Sequence, residues 1–230
     1  MDCFEISVVN TQAQDPRGFV GGKPSLPVDS EWPACRMCRE RLVHFLDLEL
    51  PRSKDLLFKA GSRLQIFACR EHDDIAGTIY SDYKRFATVT ASRGLPKNYW
   101  NVTDGHYLIR LLSPSAAVVP AASGEARLAL RNLELRQMRD SSADPHQSFK
   151  LFGYPFWVQD VEDHLCCCGA PMRLLLQVPD GFGFDMEVGA PEQANSFSHT
   201  QYCLFLGNYV YLLACEQQCH PLAILPVLQN

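Results

Sequence analysis

The sequence predicts a mainly β (α+β) fold: an internally duplicated β-sheet domain with two cysteine-knuckle halves. Three observations lead there. Apolar residues recur with period two in short runs bounded by glycine and proline, the pattern of strands rather than helices. Cysteines come in close pairs placed just before or just after those runs. Two distant blocks also repeat one order of features: proline turn, cysteine pair, strand, loop, strand, second ligand pair. We therefore expect one compact domain of two pseudo-repeats, about residues 20–75 and 150–229, with 76–149 between them. At 230 residues and 47% apolar content the chain can bury a core of that size.

In chain order, Phe4, Ile6 and Val8 open with a short alternation. Gly21-Gly22, Pro24 and Pro27 then prohibit a helix and make an extended turn. The pair Cys35-x2-Cys38 follows, and Leu42 to Leu50 reads as a strand whose end, Leu46-Asp47-Leu48-Glu49-Leu50, alternates as a half-buried strand should. Gly61–Cys69 is a second strand, closed by Cys69-x2-His72. Residues 73–105 carry mixed signals and receive no element. His106–Leu112 reads as a strand, and 113–125 as a small-residue loop. Over 127–138 the leucines fit a strand with a bulge near Arg131-Asn132, with a helix as the alternative. Residues 139–148 are polar, contain Pro145 and read as a linker.

The second block begins at Gly153-Tyr154-Pro155, answering Gly22-Lys23-Pro24. It runs through Cys166-Cys167-Cys168 into the apolar stretch Met172–Val178. A glycine-rich loop (179–198) follows. Tyr202–Cys215 reads as two strands joined at Gly207-Asn208, and the chain closes on Cys215-x3-Cys219 and a proline-flanked tail, ILPVLQ.

Zinc takes four tetrahedral thiolate or imidazole ligands, delivered as two close pairs on separate loops. The first half offers Cys35, Cys38, Cys69 and His72. The second offers Cys166 and Cys168 with Cys215 and Cys219; Cys167 is expected to pack inward, and His164 and His220 stand in reserve. In that alignment Leu165 falls opposite Cys35, which leaves the second knuckle one ligand short. Four protein ligands close a site to substrate, so one or two structural zinc ions are expected rather than catalytic metal. The competing reading is that these are buried free thiols packed as small hydrophobes.

Catalytic patterns are thin. Cys219-His220 are chain neighbours, which points side chains apart, and Asp180, Asp185 and Glu187 read as the solvated tip of a loop. No phosphate loop, dinucleotide fingerprint, HExxH or G-x-S-x-G is present. Trp32, Trp100 and Trp157 read as core edges. A net charge of −5 argues against a nucleic-acid binder, and no run approaches a membrane span. The opening residues lack the basic end and apolar run of a signal peptide, so the ten cysteines are read as cytoplasmic thiols or metal ligands.

GGKPSLPVDSEWP, the cysteine knuckle and LVHFLDLEL together resemble the YwqG-like bacterial proteins of unknown function. GYPFWVQ, CCCGAPMRLLLQV and YLLACEQQC resemble the second half of those proteins. The layout is more distantly similar to the programmed cell death protein two family, which includes chaperones dedicated to a ribosomal protein. The likeness covers about 20–72 and 150–229. His72 stands where that pattern has cysteine, and Asp47 where it has glutamine, which Gln177 keeps. The resemblance implies a duplicated, mainly β domain without an assigned activity. The leading expectation is a non-enzymatic protein-interaction module, chaperone-like or antitoxin-like, whose partner is another protein. The alternative is a hydrolase using the acidic loop 180–187 or an exposed cysteine.

Overall fold

A computed structural model describes residues 2–10, 17–53, 57–74, 105–139, 148–166 and 168–230. Trp100, Cys167 and most of the expected linker lie outside those residues. The regular structure of the described chain is nearly all strand: β1 (Asp2–Val9), β2 (Gly18–Val20), β3 (Ser25–Pro27), β4 (Val43–Glu49), β5 (Arg63–Ala68), β6 (Tyr107–Leu112) and β7 (Val118–Pro120). The second half adds β8 (Arg131–Arg139), β9 (Lys150–Leu151), β10 (Met172–Val178), β11 (Gly183–Asp185), β12 (Gln201–Cys203), β13 (Tyr209–Cys215) and β14 (Ile224–Gln229). The mainly β expectation holds. β8 is a strand and not the alternative helix, and its ladder with β1 carries no bulge. The extra residue is absorbed ahead of the strand, where Leu128 makes an isolated bridge with Met186.

Ten strands form one sheet in the order β14-β13-β10-β9-β1-β8-β2-β4-β5-β6. Read from either end, the order meets matching strands, and the registers match residue by residue. Val20 faces Leu46 across β2 and β4, as Leu151 faces Leu176 across β9 and β10. Both β4 and β10 carry a bulge at the same place, between His44 and Leu46 and between Leu174 and Leu176. The bulge puts two consecutive residues, Phe45 and Leu46, into one core; Leu174, Leu175 and Leu176 do the same. At the centre β1 pairs with β8, and Ser7 faces Glu134. The two ends of the sheet approach each other where the Leu111 N–H donates to Pro221 O at 2.8 Å, so the sheet is nearly closed.

The main core lies inside this curve and draws on both halves, with Phe45, Leu64, Ile66, Leu175, Leu212 and Val227 all buried. Each such side chain contributes about 1.5–3 kcal/mol relative to exposure. A smaller cluster of Leu26, Cys35, Leu42, Phe67, Cys69 and Leu108 sits outside the first half of the sheet, under the first knuckle.

Several expectations need correction. The β4 strand is buried on both faces, not one. Asp47 is fully buried: its carboxylate accepts from Arg63 (2.6 Å) and Gln65 Nε2 (2.7 Å), and the same Gln65 amide donates to Ser25 O in the loop after Gly22. The stretch 113–125, expected as a loop, includes β7, while β6 and β8 on either side of it fall where strands were expected and sit in the main sheet. Gly207-Asn208 joins no hairpin: β12 pairs with β11 while β13 pairs with β10 and β14. There the chain makes a left-handed turn through Phe205, Leu206 and Gly207 instead. The tail ILPVLQ is a full strand, β14.

Candidate metal centres

Each half ends its second long strand on a cysteine, Cys69 after β5 and Cys215 at the end of β13. That cysteine lies beside the knuckle that precedes the neighbouring strand. In the first knuckle the Cys35 N–H donates to Glu40 O (2.8 Å) and the Arg39 N–H to Cys35 O (3.0 Å). The Leu42 N–H donates to Pro33 O at 2.8 Å. In the second, Cys166 N–H donates to Ala170 O (2.8 Å), Gly169 N–H to Cys166 O (2.8 Å) and Met172 N–H to His164 O (3.0 Å). Both turns close through a residue at positive φ, Arg39 at 66° and Gly169 at 84°, and glycine adopts that conformation without strain.

These bonds fix the correspondence and correct the alignment. Ala34 bridges Arg41 where Leu165 bridges Pro171, so Leu165 answers Ala34, and Cys166 answers Cys35. The second knuckle is one residue shorter between its cysteines and lacks no ligand.

Cys35, Cys38, Cys69 and His72 bring their ligand atoms within 4.8 Å of one another, and so do Cys166, Cys168, Cys215 and Cys219. Among the described residues these are the two places where three or more metal-ligating side chains converge. The individual separations are informative. Cys38 and Cys69 sulfurs are 3.7 Å apart, and His72 Nδ1 lies 3.7 Å from Cys35 and 3.5 Å from Cys69. In the second group Cys166–Cys219 and Cys168–Cys215 are each 3.5 Å. A tetrahedron with metal–sulfur bonds of about 2.3 Å has edges of about 3.8 Å. A disulfide would need about 2.05 Å, and all eight residues are separate thiols or imidazole.

Burial opposes ionisation of these thiols when nothing else holds them. It pushes Cys69 and Cys219 up to about 12 and Cys166 higher still. For Cys168 burial also pushes upward, but the Ala170 N–H and the facing cysteines outweigh it and bring the group below its ordinary value. A bound divalent cation supplies the charge that turns such thiols into thiolates.

The surroundings hold the ligands still. The Glu71 N–H points at the Cys69 sulfur at 3.4 Å. Next to His72, buried Asp73 accepts from Gln193 Nε2 (3.0 Å) and Asn195 Nδ2 (2.9 Å), which ties the ligand loop to the β11–β12 region. Nothing in the sequence marked that trio, because its members lie about 120 positions apart. The reserve histidines are employed elsewhere: His164 Nε2 meets Glu162 at 2.9 Å, and His220 Nδ1 accepts from the Leu222 N–H at 3.1 Å. Cys219 turns into the second tetrad and away from a dyad with its neighbour. Asp185 is held by Arg131 (3.3 Å) and Gln201 Nε2 (3.0 Å), and does not converge with Asp180 and Glu187. Trp32 donates its indole N–H to Leu42 O at 2.8 Å, and Trp157 packs on Tyr211. No helix among the described residues is long and apolar enough to cross a membrane.

No protein-family model matches the chain, and no curated protein matches it.

Proposed function

We propose that the protein is a non-enzymatic protein-interaction module whose loops are fixed by two structural zinc ions, one per half, in a unit that is present twice. The observation that carries this reading is the pair of closed tetrads at matching places in the sheet. Four protein ligands leave no position for substrate, and the thiol-rich donor sets suit zinc. Cys35, Cys38, Cys69 and His72 would carry net charge −1 with the metal; Cys166, Cys168, Cys215 and Cys219 would carry −2. The metal supplies only charge and geometry. It pins each knuckle to the strand beside it. The acidic surface suits a protein partner better than a phosphate backbone.

The test is removal of the metal by a chelator, followed by its return. Loss of near-ultraviolet circular dichroism on chelation and recovery with zinc supports a structural role. Retention of the native fold without metal, or hydrolytic turnover that requires the metal, contradicts it.

A further inference from the structure

The two halves differ in what lies on the turn after their glycine. In the first half the extended segment 118–130 covers that turn. β7 pairs with β3, so Leu26 faces Val119. The Ala121 N–H donates to Pro24 O at 2.9 Å and the Gly22 N–H to Leu128 O at 3.0 Å. Further along, Gly124 packs against Trp32.

By the register set out above, Pro24, Leu26 and Trp32 answer Pro155, Trp157 and Asp163. In the second half the inward-facing backbone groups are satisfied by the sheet. Phe156 N–H donates to Gln177 Oε1 (3.0 Å), Tyr211 OH donates to Phe156 O, and Val158 N–H donates to Gln229 Oε1 (3.0 Å). The outward-facing groups, Pro155 C=O and the Trp157 N–H and C=O, have no hydrogen-bond partner among the described residues. Beside them lies a groove of about 570 Å³. Its floor is Phe152, Met172 and Leu213, and Tyr154 and Val161 stand exposed on its walls. Among the described residues its rim carries Glu162, Asp163 and Glu216 against a single cation, Arg173, which Glu216 already holds at 3.1 Å. Glu162 holds His164, and Asp163 is left exposed without a partner among the described residues.

We infer that this groove receives an extended segment of a separate protein, added as a strand along Phe156–Val158. The segment is small and apolar where it enters the groove and basic where it meets Asp163. It is the binding mode of strand addition to an open edge, in which main-chain bonds give affinity and pockets give specificity. The chain's own segment 118–130 shows the shape that fits, since it fills the corresponding place in the other half. The acidic rim sets the charge. This inference rests on the interaction-module reading and names the surface that module uses.

The probe is the synthetic peptide of residues 116–130 carrying Gly124→Lys, with the Gly124→Glu peptide as its control. Residue 124 is the one placed opposite Asp163. The full zinc-loaded chain should bind the lysine peptide saturably and the glutamate peptide about tenfold or more weakly, a difference of about 1.4 kcal/mol. Bound peptide should slow hydrogen exchange at the Trp157 amide, which side-chain docking alone would leave unchanged. Asp163→Lys should reverse the preference between the peptides. Absence of saturable binding, equal binding of both peptides, or an unprotected Trp157 amide overturns the inference. So does a dimer of the chain that the lysine peptide dissociates, since the occupant would then be a second copy. Zinc content is measured on the same samples: failed peptide binding with zinc retained leaves the structural-metal reading standing.

Discussion

The two halves share strand order, bulges and knuckle bonds, yet they treat the polar face of the sheet differently. In the first, Asp47 gathers charge: Arg63 bonds it at 2.6 Å, Gln65 at 2.7 Å, and the buried Arg110 bonds Gln65 at 2.8 Å. In the second, Gln177 occupies the equivalent ladder position and holds a loop amide with no charge involved. Burial lowers Arg110 to about 10 even though Asp47 pulls it upward, so the carboxylate is what makes a guanidinium tolerable there. One backbone plan thus accepts either an ionic or an amide solution, and the ionic one leaves Arg110 Nη2 buried without a hydrogen-bond partner among the described residues.

The largest expected effect comes from the ligands. Cys215→Ser should lower the zinc content from two equivalents to one. It should also destabilise the fold by about 4 kcal/mol or more, roughly a 10 °C fall in melting temperature for a chain of this size. Cys35→Ser should do the same to the other equivalent, and unequal losses would show which half depends more on its metal. Next comes Asp47→Gln, which gives the first half the residue of the second. It leaves Arg110 buried without its counter-charge, and denaturant unfolding should report a loss of about 3 kcal/mol. A neutral outcome would mean that Arg110 finds another partner or reaches water.

Gly21→Phe probes the covering segment. Gly21 and Phe152 hold the same place at φ 67° and 61°, so the backbone there accepts a side chain in one half. In the other half a Cβ would run into the Ala129 carbonyl oxygen. The substitution should cost about 2 kcal/mol by overpacking and speed tryptic cleavage after Arg127. Smallest of all is Arg173→Ala, which removes a half-exposed ion pair with Glu216 and should change stability by less than about 1 kcal/mol.

Much of this was legible in the sequence. Period-two runs located β4 and β5, apolar stretches located β10 and β13, and close cysteine pairs at strand ends picked out the eight residues that converge, because these signals are local. What failed was non-local. Leu165 was matched to Cys35 by counting, whereas backbone bonds show that the second turn is one residue shorter and that Ala34 is the true counterpart. Gly207-Asn208 has the chemistry of a hairpin turn, but the strands on either side pair elsewhere, and turn residues alone do not reveal that. Asp47 reads as a solvent-facing residue until Arg63 and Gln65 are placed beside it. The role of Asp73 depends on Gln193 and Asn195, far along the chain.

The central claim is that two closed tetrads each hold a zinc ion. X-ray absorption at the zinc edge of the purified full chain tests it most directly. Two zinc ions per chain, with a first shell that sums to seven sulfurs at about 2.3 Å and one nitrogen at about 2.0 Å, is the predicted result. A chain without zinc, or a shell containing oxygen from water at either site, would contradict it.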